Sequence, residues 1–279
     1  LLLMSENFEN LSGSLGLIGC EIIHIDQTTS TMEDAWGLVS TGAPEGAVII
    51  ADVQSAGRGR HGRKWVSKKS NDILCSVLLR PRVSLASELL MVAALAVTDV
   101  ANSYGLKSGI KWPNDIQVSG KKLAGVIAES KTGPDIAPEN AIPVVADTIH
   151  LDHITVVIGI GLNVNFDPST ETHSAPFATS LASELGANLD RSEVFQKLLI
   201  ALDAHYSKIN AGGTVLPLWR NQLTTLGHRV TVVSGNSVEQ NTLVGTALDV
   251  DATGRLIVQD DHGKDWYVAA GEVTVRSIQ

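Results

Sequence analysis

The sequence is poor in cysteine. Its 279 residues include only two, Cys20 and Cys75, which are too few for a disulfide framework. Two cysteines in a chain of this size are typical of a reducing compartment, where they act as small buried hydrophobic side chains. Small disulfide-stapled secreted domains are therefore excluded, and we predict a cytoplasmic protein.

Long uncharged hydrophobic runs are also missing. The most apolar stretch, Leu85–Val100, contains Glu88 and Asp99, so it predicts a buried helix and not a membrane span. The apolar residues Leu1–Leu3 are too few for a signal peptide, and no basic segment precedes them. These features predict a soluble protein that does not associate with membranes.

Positive charge is scarce. The chain has 21 Lys and Arg against 30 Asp and Glu, for a net charge of −9. An acidic chain is not typical of general nucleic-acid or membrane-surface binding, so we predict no DNA binding. Aromatic residues are only 4% of the chain, but hydrophobic residues together make up 44%. That fraction is enough for a sizeable aliphatic core.

Strands and helices alternate over residues 1–226. Strands are predicted at Glu21–Ile25, Gly46–Gln54, Ile73–Leu79, Ile110–Trp112, Ile116–Val118, Lys122–Glu129 and Ile154–Val164. Helices are predicted from Met32 to about Ser40, at Leu85–Tyr104, and at about Ser180–Leu185, Ser192–Asn210 and Val215–Thr225. Ser30 and Thr31 precede the first helix, so helix capping is one interpretation of their hydroxyl groups.

The pattern changes near residue 227. Five short β runs follow, separated by turns at Ser234–Asn236, Ala252–Gly254 and His262–Gly263, and they predict a small SH3-like barrel. We therefore predict an α+β protein with two domains, a larger one over residues 1–226 and a small β module over residues 227–279.

Positive charge is concentrated in Gly57–Lys69. These thirteen residues contain six of the 21 Lys and Arg and no acid. Glycines let a backbone approach an anion closely, and Arg side chains match phosphate and carboxylate oxygens. The segment also fits the G-x-G-x-x-G pattern of dinucleotide-binding proteins, but that pattern needs a helix next, and Arg63–Asn71 lacks a helical period. We interpret the segment as a loop that wraps a phosphate-bearing small molecule.

Two later segments present polar groups at strand ends. In Lys111–Asp115, Pro113 keeps Trp112 out of helical geometry, so Asn114 and Asp115 lie at a strand break. Ordinary turn chemistry is the alternative interpretation. Lys122 begins an apolar strand and could direct its ammonium into a pocket, although a lone lysine in such a place is more often solvated.

A glycine-rich strand follows at Gly159–Asn165. Gly159 and Gly161 leave room for a close approach, and Asn163 can bond a polar group. The order and spacing of the four motifs, with the C-terminal β module, resembles the biotin–protein ligases, and the resemblance runs from about Ile22 to Val275. It implies a mixed, mostly antiparallel β-sheet with flanking helices, of the class II synthetase type, followed by an SH3-like barrel.

The resemblance also implies a two-step reaction. The biotin carboxylate attacks the α-phosphate of ATP, which gives biotinyl-5′-AMP and pyrophosphate. The ε-amine of a lysine on a biotin carboxyl carrier domain of a carboxylase then displaces AMP. A cationic loop, a lysine and Mg²⁺ suit this chemistry because two anions must approach each other in the first step.

The family pattern implies the following site residues in this chain. Catalytic roles fall on Lys122, Arg58 and Asp115. Biotin would be bound by Ser30, Thr31, Met32, Gln54, Gly57, Arg58, Gly59, Arg60, Lys122, Gly125 and Gly161. The nucleotide would be bound by Arg58, Arg60, Trp65, Asn114, Lys122 and Asn163. Mg²⁺ is expected with ATP, and no side chain is assigned to it.

The chain departs from the family pattern at two places. Met32 stands where the family usually has Asn, and the segment Lys131–His153 is longer than the usual connection. Only about 20 residues precede the first strand, so we expect a monofunctional ligase without a DNA-binding domain. A homodimer formed through a sheet edge is compatible with the sequence.

Two alternatives differ in chemistry. A lipoate or other acyl-protein ligase would share the same type of sheet, although the Gly-Arg-rich loop together with Lys111–Asp115 favours biotin. A biotin-sensing binding protein would need no catalytic groups, and the presence of Lys122 and Asp115 argues against it.

Overall fold

The computed structural model describes residues 8–59, 63–131, 152–170, 177–235, 240–269 and 271–275. Arg60, one of the predicted site residues, lies outside the described residues. Most of the segment 131–153 also lies outside them.

A seven-stranded sheet forms the centre of the larger unit. Its strands are β1 (Ile22–Ile25), β2 (Val48–Ala51), β3 (Ile73–Leu79), β4 (Ser108–Lys111), β5 (Asp115–Val118), β6 (Lys121–Lys131) and β7 (Thr155–Leu162). They lie in the order β1-β2-β3-β7-β6-β5-β4. Only β1 and β2 pair in parallel, and the other neighbours in this sheet are antiparallel. The predicted mixed, mostly antiparallel sheet is confirmed.

Five α-helices accompany the sheet in the described residues. They are α1 (Thr31–Ser40), α2 (Leu89–Ser103), α3 (Leu181–Leu185), α4 (Arg191–Asn210) and α5 (Leu216–Asn221). Short 3-10 helices occur at Phe8–Leu11, Val83–Glu88 and Pro168–Thr170. The prediction of one helix over Leu85–Tyr104 was wrong at its start, where the first turns are 3-10, and α5 is shorter than predicted.

Helix α2 lies in the core and not at a surface. Val83–Ser103 is long and apolar enough to cross a membrane, yet Val92, Ala96 and Val97 are fully buried. α2 packs on α4 and on the central strands. This burial is typical of a core helix in a globular domain, because an apolar surface on all sides needs protein around it.

The second sheet is entirely antiparallel. It consists of β8 (Arg229–Gly235), β9 (Gln240–Val250), β10 (Leu256–Gln259), β11 (Asp265–Val268) and β12 (Glu272–Val275), in the order β11-β10-β9-β8-β12. The five predicted β runs are therefore strands of one small SH3-like sheet. The division at residues 226 and 227 stays a prediction.

A buried polar cluster joins the start of α4 to the segments that follow β2 and precede β3. Arg191, which is 1% exposed, donates from Nε to the backbone oxygen of Asp72 and from Nη2 to Oδ1 of Asp52 at 3.1 Å each. The carboxylate of Asp72 accepts the backbone N–H of Val164 at 3.0 Å. Burial raises the pKa of Asp72 to about 7, although this hydrogen bond and the nearby guanidinium favour the charged form.

The raised pKa of Asp72 predicts a pH dependence of stability. The folded protein holds the proton of the Asp72 carboxyl group more tightly than the unfolded chain does. The contribution of this proton to the free energy of unfolding is therefore complete below pH ~4 and is lost as the pH rises through about 7. We expect the free energy of unfolding of wild type, minus that of Asp72→Asn, to fall by about 2–4 kcal/mol between pH 4 and pH 8. Urea denaturation of both proteins at several pH values measures this difference in the free energy of unfolding. A difference that does not change with pH would contradict the prediction.

Candidate active site

One cavity collects the residues singled out by the four sequence motifs. It lies against β3, β6 and β7, beside the N-terminus of α1. Predicted site residues that line it are Ser30, Thr31, Met32, Gln54, Arg58, Gly59, Trp65, Asn114, Asp115, Lys122, Gly125, Gly161 and Asn163. Gly57 does not line it, but its carbonyl accepts the backbone N–H of Trp65 at 2.9 Å.

Buried hydroxyl and amide groups form one end of the cavity. The backbone N–H of Thr31 donates to Oε1 of Gln54 at 2.9 Å, and the Thr31 hydroxyl lies 3.2 Å from the same oxygen. Ser30 precedes α1 but makes no side-chain capping bond, so the capping interpretation was wrong for this residue. Ser30 and Thr31 are 2% and 3% exposed. This end can therefore exchange hydrogen bonds with a small polar group.

An ion pair lies farther along the cavity. Nζ of Lys122 is 2.7 Å from Oδ1 of Asp115. The backbone of Lys122 is held on both sides, because its N–H donates to Phe177 at 2.8 Å and its carbonyl accepts from Thr179 at 2.9 Å. The two charged groups are partly exposed, at 36% and 27% of the side chain, so a ligand can reach them.

Missing side chains on β6 and β7 make room for an aromatic ring. Gly125 and Gly161 pair across the two strands. A Cβ atom on Gly161 would lie 2.5 Å from the Trp65 indole, and one on Gly125 would lie 3.2 Å from it. In the same way, the Met32 thioether covers Gly159. The indole of Trp65 thus lies over Gly125 and Gly161, two of the residues that the family pattern implies for biotin binding.

The described residues on either side of positions 60–62 in the basic loop pair with each other beside the cavity. Arg58 and Lys64 form an antiparallel bridge, and the N–H of Gly59 donates to the carbonyl of Arg63 at 2.6 Å. The guanidinium of Arg58 lies 3.0 Å from a carboxylate oxygen of Glu33 on α1. The guanidinium of Arg58 is therefore paired with an exposed acid. Other atoms of Arg58 line the cavity.

Two asparagines lie on buried strand ends. Nδ2 of Asn114 donates to the carbonyl of Val126, and Nδ2 of Asn163 donates to that of Thr179, at 2.8 Å each. Oδ1 of Asn163 is buried and makes no hydrogen bond. An unpaired buried acceptor is costly unless a ligand supplies a donor. Asn163 lines the cavity, so we expect its amide oxygen to accept a hydrogen bond from an N–H group of a ligand.

The structure adds cavity residues that the sequence prediction omitted. They are Arg63, Lys64, Val66, Cys75, Lys111, Trp112, Pro113, Ile127, Gly159, Ile160, Pro168, Ala178, Gly271 and Val273. Lys111 and Gly159 belong to motifs that were recognised, so motif membership could have found them. Val273 lies on β12 of the second sheet and Gly271 directly precedes that strand, and no sequence signal pointed to either residue.

The second sheet is attached beside the cavity through Trp112. The backbone N–H of Trp112 donates to the Thr225 hydroxyl at 2.9 Å, and its indole N–H donates to the carbonyl of Gly254 at 3.0 Å. Gly254 has a φ of +82°, a left-handed conformation that side chains disfavour, so this turn favours glycine. The same small sheet contributes Val273 to the cavity wall.

A possible metal-ligand group lies elsewhere in the described residues. His24, Asp26 and Asp52 bring one ligand atom each within 4.8 Å of one another. Arg191 already bonds Asp52 at 3.1 Å, and its fixed positive charge opposes a cation there. We therefore assign no metal to this group.

Comparison with known proteins agrees with the geometry. The profile described as "Biotin/lipoate A/B protein ligase family" matches residues 24–138, and "Biotin protein ligase C terminal domain" matches residues 225–276. A "Biotin--[acetyl-CoA-carboxylase] ligase" from Mycobacterium tuberculosis is 35% identical over 258 residues, which cover 89% of this chain and 86% of that protein.

Other relatives carry an additional activity in their names. The "Bifunctional ligase/repressor BirA" of Bacillus subtilis is 32% identical over 253 residues, covering 88% of this chain and 72% of that protein. The structure of a biotin protein ligase from Aquifex aeolicus in complex with biotin and ATP has a TM-score of 0.69 at 23% identity, covering 91% of this chain and 98% of that one. That likeness shows the fold. The sequence matches, together with the cavity, show that this chain belongs to the biotin/lipoate protein ligase family.

Proposed function

We propose that this chain is an ATP-dependent biotin ligase, which forms biotinyl-5′-AMP and transfers biotin to a lysine of a biotin carboxyl carrier protein. One observation carries the proposal: a buried polar end and the Lys122–Asp115 ion pair line the same cavity. Biotin has the matching shape, with a cyclic urea at one end and a carboxylate at the other. Relatives named as biotin ligases, such as that of Mycobacterium tuberculosis, support this assignment.

The first step needs positive charge around two anions. A carboxylate oxygen of biotin would attack the α-phosphorus of ATP, and the bond to the pyrophosphate oxygen would break. Lys122 lines the cavity, and its ammonium would contact both the carboxylate and the α-phosphate. Arg63, Lys64 and Lys111 line the same cavity and would bind the other phosphate oxygens. Cations placed in advance stabilise the charge that develops in the transition state.

Mg²⁺ does not fit a site made by the protein alone. Among the described lining residues, Asp115 supplies the carboxylate, and this group is already paired with Lys122 at 2.7 Å. Mg²⁺ is commonly held through substrate phosphates and waters. We therefore infer that the ion enters bound to ATP.

The second step transfers the acyl group to an amine. The ε-amine of the carrier lysine would attack the carbonyl carbon of the mixed anhydride, and AMP would leave with the electron pair of the broken C–O bond. The amine must lose its proton, and Asp115 is the carboxylate positioned to accept it. The ion pair between Asp115 and Lys122 would then break as the lysine of the carrier approaches.

The remaining expectations concern surroundings and partners. We expect the ligase to be cytoplasmic and, with a net charge of −9, to bind no DNA through its described surface. Strands β1 and β4 form the edges of the larger sheet. Ile110 on β4 is already hydrogen-bonded to Gln222 and Thr224, so β1 is the edge that we expect to pair two subunits in a homodimer. The natural partner is a carrier domain with an exposed lysine.

Biotin-dependent exchange of labelled pyrophosphate into ATP tests the first step. Mass spectrometry of a carrier domain incubated with ATP, Mg²⁺ and biotin tests the second. We expect exchange with biotin and one biotin increment on the carrier. Exchange with lipoate and not with biotin would favour the related acyl ligases, and biotin binding without exchange would favour a sensor.

A further inference from the structure

Ser76 is a polar residue in an apolar layer. It lies in the middle of β3, is 0% exposed, and its backbone pairs with Gly159 on β7. Two residues farther along, Leu78 packs with Met32 and Ala35 in the apolar cluster beneath α1. A buried hydroxyl at such a place needs a hydrogen-bond partner. Its partner is the hydroxyl of Thr31, at 2.8 Å.

The direction of the hydrogen bonds follows from one fixed donor. The backbone N–H of Thr31 can only donate, so the atom of Gln54 at 2.9 Å must be the amide oxygen Oε1. The Thr31 hydroxyl, 3.2 Å from the same oxygen, must therefore donate to it as well. Because a hydroxyl has one hydrogen, Thr31 has none left for Ser76. Ser76 is consequently the donor in the contact between the two hydroxyls.

This polarity determines what the cavity offers to a ligand. The amide oxygen of Gln54 is occupied by Thr31, so Gln54 offers a ligand only the N–H donors of Nε2. The Thr31 oxygen receives one hydrogen from Ser76 and keeps one lone pair. A cyclic urea has one carbonyl acceptor and two N–H donors, so it needs both kinds of group. Ser76 itself does not line the cavity and would act through Thr31.

We propose that Ser76 is a positioning residue for the urea end of the substrate, holding the Thr31 oxygen as a hydrogen-bond acceptor. The inference rests on the proposed function, since it takes biotin as the ligand. A buried position in the middle of a strand usually carries a hydrophobic side chain. The proposal gives a functional reason for the hydroxyl group of Ser76 at this position.

The test begins with Ser76→Ala, which removes the donor and changes the volume little. We expect the dissociation constant of biotin from calorimetry, and the KM for biotin, to rise about two- to twelvefold. The KM for ATP should stay within about twofold. Ser76→Cys, which restores a weaker donor, should give an intermediate value.

A matched control separates this role from simple loss of a buried hydroxyl. Thr98→Val removes the buried hydroxyl that donates to the carbonyl of Ala94 at 2.8 Å in α2, away from the cavity. This variant should lose stability but bind biotin as wild type does. Thermal denaturation of both variants provides the stability values.

A double-mutant cycle tests whether Ser76 acts through Thr31. In a Thr31→Val background, Ser76→Ala should add no further loss of biotin affinity. Full additivity, an unchanged dissociation constant in Ser76→Ala, or equal losses for biotin and ATP would each overturn the proposal. Wild-type protein that neither binds biotin nor supports exchange would instead overturn the proposed function.

Discussion

Replacing Lys122 with alanine is expected to lower kcat/KM for biotin adenylation by about 10²–10⁴-fold. The ammonium lies 2.7 Å from Asp115 inside the cavity, so its removal leaves an uncompensated carboxylate where two substrate anions must meet. Stability should change little, because a partly exposed ion pair contributes about 0–1 kcal/mol. The large loss of rate should therefore occur in a folded protein.

Lys121→Ala is the matched control. Lys121 is the preceding residue on β6, is exposed, and does not line the cavity. Pyrophosphate exchange measures the adenylation activity of the two variants, and thermal denaturation measures their stability. Similar exchange rates in the two variants, or a loss of stability that parallels the loss of exchange in Lys122→Ala, would refute the catalytic role of Lys122.

Gly161→Ala is expected to weaken biotin binding about 5- to 150-fold. The added Cβ would lie 2.5 Å from the Trp65 indole, so the indole must shift into the cavity space that we expect the ligand to occupy. Overpacking of this kind costs about 1–3 kcal/mol, which corresponds to that change in affinity when it falls on the bound state. Calorimetry with biotin measures the effect.

Gly37→Ala is the control for the glycine substitution. Gly37 lies in α1, and a Cβ there would meet no atom within 4 Å. Alanine is also the better helix former, so this variant should be at least as stable as wild type and bind biotin normally. Equal affinity for biotin in Gly161→Ala and Gly37→Ala would contradict the prediction that a side chain at position 161 interferes with biotin binding.

The sequence predicted most of the secondary structure correctly because its strongest patterns are local. Ile73–Leu79 is a run of buried apolar residues, and β3 has the same bounds. The long apolar stretch before Gly105 became α2, although its beginning at Val83–Glu88 is 3-10. Helix ends were less predictable. Helix α5 ends at Asn221, and the backbone of the next residues, Gln222 and Thr224, is hydrogen-bonded to Ile110 on β4.

Hydroxyl residues illustrate what a local pattern leaves open. Ser30 before a helix is typical of a cap, yet its side chain makes no capping bond. Gln54, in the segment that follows β2, bonds the first helical N–H in its place, at 2.9 Å. This partner lies 23 positions along the chain. Only the packing of α1 against the sheet could show that the hydroxyls face a cavity.

The sequence alone therefore determined the acidic, cysteine-poor character, the order of the four motifs and the family they resemble. The tertiary structure decided which residues share a cavity, such as Trp65 over Gly161 and Val273 from a separate sheet. It also placed Ser76 behind Thr31, outside the cavity lining. The physical reason is that hydrophobic period and turn chemistry encode contacts between near neighbours in the chain. A cavity is formed by strands far apart in the sequence, and their contacts exist only after the sheet has assembled.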